Sequence, residues 1–174
     1  GNLELDPLFC DEAAGDYTLT AGSPCTEAAS QCGRIGAFPA SCGNVINVDA
    51  QGGGDYLTIQ EGIDAAVNGD LVSVAAGLYS GPQNRGLDFG GRLIVLYAPA
   101  GAESTEIDCE GLDRGFLFDG GEDRLAVVRG FTVSNGHGQQ GGGLSCLPGT
   151  SPTIRECAFT NSSADGTGGT IECR

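Results

Sequence analysis

The chain has 174 residues, with 31 glycines, no methionine, tryptophan or lysine, and 23 carboxylates against eight arginines, for a net charge of -15. That charge excludes nucleic acid and anionic membrane surfaces as partners, because both need clustered positive charge. Glycine without a Gly-X-Y period excludes collagen, 40% apolar residues are too many for a disordered chain, and no apolar run approaches the roughly 18 residues of a membrane span.

Residues 1–43 carry four of the eight cysteines, Cys10, Cys25, Cys32 and Cys42, in a stretch with little core of its own. An even set with no CxxC pair points to disulfides rather than zinc, and so to an oxidising, extracellular or cell-surface setting. Cys25 with Cys32 would close a loop and Cys10 with Cys42 would staple its ends, but four cysteines permit three connectivities and the choice stays open. The opening at Gly1, with neither an initiator methionine nor a signal sequence, is expected of a processed, mature product.

Residues 44–80 begin with a helical pattern. Ile59, Ile63, Ala66 and Val67 share one helical face, Thr58 stands as N-cap with Glu61 three residues on, and Asn68-Gly69 is expected to stop the helix. The following LVSVAAGLYSG alternates apolar and polar residues as a half-buried strand does.

Residues 81–174 repeat. Val128-Arg-Gly-Phe131-Thr-Val133-Ser-Asn135 recurs as Ile154-Arg-Glu-Cys157-Ala-Phe159-Thr-Asn161, and Gly141-Gly-Gly-Leu144-Ser-Cys146 as Gly168-Gly-Thr-Ile171-Glu-Cys173. A more degenerate copy sets Ile107 and Cys109 against Phe131 and Val133, and Phe116 and Phe118 against Leu144 and Cys146. A unit of about 26 residues made only of strands and turns cannot bury its apolar side alone, so units must stack on one shared core. This predicts a parallel β-solenoid in which equivalent residues form ladders about 4.8 Å apart, Cys146 beside Cys173 and Asn135 beside Asn161.

The motifs GFTVSNG at 130–136, GGGLSC at 141–146, SPTIRECAFTN at 151–161 and GGTIEC at 168–173 resemble the right-handed parallel β-helix repeat proteins of the pectate-lyase-like superfamily. The stretch from Gly54 to Asp70 resembles the start of such domains, where a short helix plugs the first coil. The resemblance implies an all-β, right-handed parallel β-helix with one capping α-helix. Residues 1–43, with GNLELDPLFC and GDYTLTAGSPC, resemble the last rung and closing loops of the same domains, yet here they come first. The final coil, from Ile154 to Cys173, is left without a closing segment, and an open rung of unpaired backbone over an apolar core demands a cover. Residues 1–43 of a neighbouring copy are the favoured one, against the same segment run back along its own solenoid or the next stretch of a longer tandem array.

The candidate chemistry is thin. His137, in Asn135-Gly136-His137-Gly138, matches a Gly-His-Gly motif of polygalacturonases, but no Asp-Asp pair accompanies it, and a turn histidine is the expected reading. Asp108, Glu110 and Asp113, and then Asp119, Glu122 and Asp123, cluster in apparent turns near Arg114, Arg124 and Arg129. Hard oxygen ligands suit calcium, against internal ion pairing or a solvated acidic face; neither a catalytic residue nor a metal ligand is assigned. Cys146 and Cys173 would form a disulfide between coils or pack as thiols. Asn161 opens an Asn-Ser-Ser glycosylation acceptor and also extends an asparagine ladder, whose stacked amides are the favoured use.

The expectation that follows is a secreted structural protein, not an enzyme, whose copies join head to tail by strand addition into a filament. Leu3, Leu5, Leu8 and Phe9 of one copy would meet Ile154, Phe159, Ile171 and Cys173 of the next. The alternative is a polysaccharide-binding or polysaccharide-cleaving β-helix domain.

Overall fold

A computed structural model describes residues 43–174 in full and, from the preceding part, the backbone of two strands, β1 (Phe9–Asp11) and β2 (Asp16–Leu19). These pair antiparallel as a hairpin. The chain divides into two compact units, Gly1–Asn44 and Val45–Arg174. Leu3, Leu5, Leu8, Cys25, Cys32 and Cys42, and the side chains of Phe9 and Cys10, lie outside the described residues.

The second unit is a parallel β-solenoid. Its first coil holds β3 (Val45–Val48) and the helix α1 (Ile59–Ala65). Then come β4 (Leu71–Val74), β5 (Gly77–Tyr79) and β6 (Leu87–Asp88), followed by β7 (Val95–Tyr97), β8 (Thr105–Asp108) and β9 (Phe116–Phe118). The fourth coil has β10 (Val127–Arg129), β11 (Thr132–Ser134), β12 (His137–Gln140) and β13 (Leu144–Cys146). The fifth repeats it as β14 (Thr153–Arg155), β15 (Ala158–Thr160), β16 (Ser163–Thr167) and β17 (Ile171–Cys173). Every pairing among these strands is parallel, in sheets ordered β14-β10-β7-β4-β3, β15-β11-β8-β5, β17-β13-β9-β6 and β12-β16.

Alternation turns the apolar residues of most of these short strands into the core. Val72, Leu96 and Val128 stack along one sheet, and Ile107 and Val133 along the second; Leu87, Phe116 and Leu144 do so along the third. All eight of these residues are buried. Phe89 packs edge-on to Phe118, centroids 5.2 Å apart, and Phe116 stacks on Phe118 at 6.3 Å. The corner between β10 and β11 needs Gly130, whose φ is +87° and whose added Cβ would sit 2.6 Å from the Ala98 carbonyl of the coil beneath.

The ladders correct one reading. Ile107 pairs with Val133, two residues from the alignment that set it against Phe131. That register brings Thr105, fully buried with its hydroxyl unpartnered, level with Phe131, so a polar residue at an inward position disguised the repeat. The helix also differs from expectation. Its end comes at Ala65, because Ala66 is extended and the Asp70 carboxylate takes the Val67 N–H at 2.8 Å; Val67 is exposed. Thr58 stands at the N-cap, but its hydroxyl binds Glu61 at 2.6 Å, and the Ile59 N–H is capped by Asn84 of the next coil at 2.8 Å.

Ile59 and Ile63 of α1 close the lower end of the core. The close approach is made by Gly62, where an added Cβ would lie 2.5 Å from Val48 and 3.1 Å from Val72. Gly62→Ala therefore sets a gain of about 1 kcal/mol in helix propensity against overpacking of about 1–3 kcal/mol, and Gly62→Val adds β-branched bulk. Both variants are expected to melt below the parent protein, Gly62→Val lower, in thermal denaturation followed by circular dichroism.

Candidate functional site

The strands β8, β11 and β15 end level with one another, and the chain bends sharply after each. The bends after β11 and β15 are made by Asn135 and Asn161, at φ +53° and +52°, a left-handed conformation that asparagine tolerates better than most residues. Backbone at the bend is crowded: a Cβ on Gly136 would lie 2.0 Å from the Gly142 carbonyl. The bends leave an open groove of about 600 Å³ lined by Asp108, Glu110, Gly111, Asn135, Gly136, His137, Asn161 and Ser163.

The groove carboxylates are committed to the protein. Asp108 Oδ1 accepts the Asn135 amide at 2.9 Å and the Glu110 N–H at 2.8 Å, and these two bonds, the amide first, hold the Asp108 carboxyl below its ordinary range. Asn135 thus gives its amide to Asp108, where stacking on Asn161 had been expected. Glu110 Oε2 is paired with Arg85 and accepts the Gly81 N–H at 3.0 Å. Two coils earlier in its ladder than β14, Tyr97 stacks under Arg129, 5.2 Å from guanidinium to ring centroid, and Arg129 binds Glu156 at 2.7 Å. Among the three arginines named with the acidic clusters, Arg114 is 3.9 Å from Asp113, whereas Arg129 pairs outside them.

His137 opens the strand β12; it does not sit in a turn. In the ladder it faces Ser163, and its Nδ1 lies 3.0 Å from Ser163 Oγ. Its Nε2 lies 3.5 Å from Asp165 Oδ2, which also accepts the Gln139 amide at 3.0 Å. Sequence reading missed Ser163 and Asp165. The signal was present, since His137 to Ser163 and Gln139 to Asp165 each span 26 residues, the same offset as the core repeat.

The second acidic cluster is structural at its centre. Glu122 is fully buried and accepts the Gly91 N–H at 2.7 Å and the Gly120 N–H at 3.0 Å, tying the turns of two coils together. Among the described residues no three His, Cys, Asp or Glu side chains converge as a metal site.

Cys146 and Cys173 are register partners, and both are free thiols, as are Cys109 and Cys157. Burial and then the neighbouring Cys173 thiol push the Cys146 thiol up to about 12. Burial, followed by the charges of Asp108 and Asp113, pushes the Cys109 thiol to about 12 as well. Asn161, the candidate acceptor for glycosylation, is exposed at the groove edge.

The architecture defines the class: a parallel β-solenoid of about five coils plugged at one end by a single short helix. Comparison with protein-family models, curated proteins and solved structures finds no match for the chain.

The thiols give the fold an alkaline limit. Cys109 and Cys146 ionise near 9.0 when unfolded and near about 12 when folded, so the folded state is favoured fully below pH 9 and loses that advantage as pH rises towards 12. Melting temperature is expected to fall progressively over that window, and Cys109→Ala to flatten the slope. Maleimide labelling at pH 7 is expected to modify exposed Cys173 well before buried Cys109.

Proposed function

We propose that the chain is a secreted structural protein whose copies assemble head to tail into an extracellular filament, residues 1–43 of one copy continuing the solenoid of the next. One observation carries this reading. Val128, Val133 and Leu144 are buried, whereas their ladder partners on the last coil, Ile154, Phe159 and Ile171, are only partly covered, with Ile171 47% exposed. The outer edges of β14, β15, β16 and β17 all face the same way and have no further strand among the described residues. Such a rung matches the requirement for strand addition, in which main-chain hydrogen bonds give affinity and alternate side chains give register. Lysine, a residue that often protects a sheet edge from pairing, is absent from the whole chain. The occupant argued for is residues 1–43, on their resemblance to a closing rung.

A polysaccharide-binding or polysaccharide-cleaving domain is the second reading, favoured only by the groove at Asp108, Asn135 and His137. It requires no assembly, which separates the two.

Purified protein is expected to form concentration-dependent fibres visible by electron microscopy. Ile171→Arg and Phe159→Asp, each at the partly covered rung, are expected to leave a folded species that sediments as a monomer. A wild-type monomer at high concentration would overturn the proposal.

A further inference from the structure

We infer that Ser163, His137 and Asp165 form a nucleophile–base–carboxylate set able to hydrolyse a small, uncharged carboxylic ester held in the groove. This inference stands on the groove alone and is independent of filament assembly.

The geometry follows from the ladder between β12 and β16. Register partnership puts the Ser163 hydroxyl 3.0 Å from His137 Nδ1, within the reach a general base needs. Asp165, two residues further along β16, lies 3.5 Å from the other ring nitrogen. At 3.5 Å this is an ion-pair contact without a hydrogen bond, and a carboxylate on that side favours the tautomer in which Nε2 carries the proton, leaving the Nδ1 lone pair for the serine hydroxyl. Asp165 is itself aimed by Gln139, whose amide donates to the same oxygen at 3.0 Å. Such sets are recognised by geometry and role, not by chain order.

The remaining lining supports the substrate class. Asp108, bound by the neutral Asn135 amide, keeps its negative charge and disfavours an anionic ester, whereas the charge of Glu110 is offset by Arg85. Among the described residues the groove is lined by no Phe, Tyr, Trp or aliphatic side chain, which suits a short acyl group rather than a long one. Asn161 lines the same groove and brings a side-chain amide donor to it, the group type that stabilises a carbonyl oxygen becoming an oxyanion.

In the first step the Ser163 proton passes to His137 Nδ1 as Oγ bonds to the ester carbonyl carbon. The carbon–alkoxy bond then breaks, and the alcohol leaves with the proton from His137. Water, deprotonated by His137, attacks the acyl-serine; the carboxylic acid departs, and the proton returns to Ser163. The sum is ester plus water giving acid plus alcohol, with no other reactant.

The composition makes the test clean, because the chain has one histidine and no lysine, so neither a second imidazole nor a lysine amine can contribute. Full-length protein with its thiols blocked is assayed for steady-state hydrolysis of p-nitrophenyl acetate, and separately treated with a fluorophosphonate whose adduct is mapped by mass spectrometry. Turnover above buffer is expected, with the adduct on the peptide containing Ser163. Ser163→Ala and His137→Ala are each expected to lose about 100-fold or more with unchanged melting temperature. Asp165→Asn, a change at a positioning residue, is expected to lower kcat with KM unchanged, and Asp165→Glu to recover part of the loss. A wild-type rate equal to buffer, an adduct absent from Ser163, or a Ser163→Ala rate within twofold of wild type would overturn the inference.

Discussion

Everything in the solenoid depends on in-register parallel pairing between one coil and the next. A single coil has strands of two to five residues and cannot bury an apolar face by itself. When coils stack, each strand inside a sheet gains ladder hydrogen bonds on both sides, and its inward residue meets its equivalents above and below. Phe116 lies between Leu87 and Leu144, and Val128 between Leu96 and Ile154, so the core is continuous along the axis. The lower end closes where α1 lays Ile59 and Ile63 over the first coil, so near that a Cβ at position 62 would crowd Val48 and Val72.

The same constraint builds the surface. Ladder stacking brings side chains from separate coils into line wherever the chain bends alike, and the bends after β8, β11 and β15 do so at the groove. There the left-handed asparagines set the direction of β12 and β16, and β12 carries His137 onto the side chain of Ser163. Elsewhere the ladder yields structural pairs: Glu122 holds the turns at Gly91 and Gly120, and Arg129 bridges Tyr97 and Glu156. The groove and the scaffold thus use the same spacing, and they differ in which side chains the ladder brings together.

Much of this was legible in the residues because a solenoid converts sequence offset directly into spatial adjacency. The 26- and 27-residue offsets gave the partnership of Val128 with Ile154 and of Cys146 with Cys173. In the third coil Phe116 and Phe118 do pair with Leu144 and Cys146 as expected, but the offsets failed at β8, where buried Thr105 breaks the apolar pattern and Ile107 consequently seemed to belong two positions away. The helix was recognisable from its apolar face and its N-cap residue Thr58, but the group that caps it was not, since the acceptor for the Ile59 N–H is Asn84, 25 residues on. Ser163 and Asp165 obey the repeat but offer no apolar or cysteine match, and a serine opposite a histidine shares polarity without sharing size or chemical group.

The sequence by itself determined the architecture: its periodicity, its short alternating strands and its glycine bends admit one way of burying the apolar residues, by stacking coils. Tertiary structure decided which polar groups are spent and which are left to act. That Asp108 goes to Asn135, Glu110 to Arg85, and His137 to Ser163 and Asp165 depends on side-chain directions across neighbouring coils. Hydrogen bonds are short and directional, and a one-dimensional pattern specifies which residues are neighbours without specifying which atoms meet.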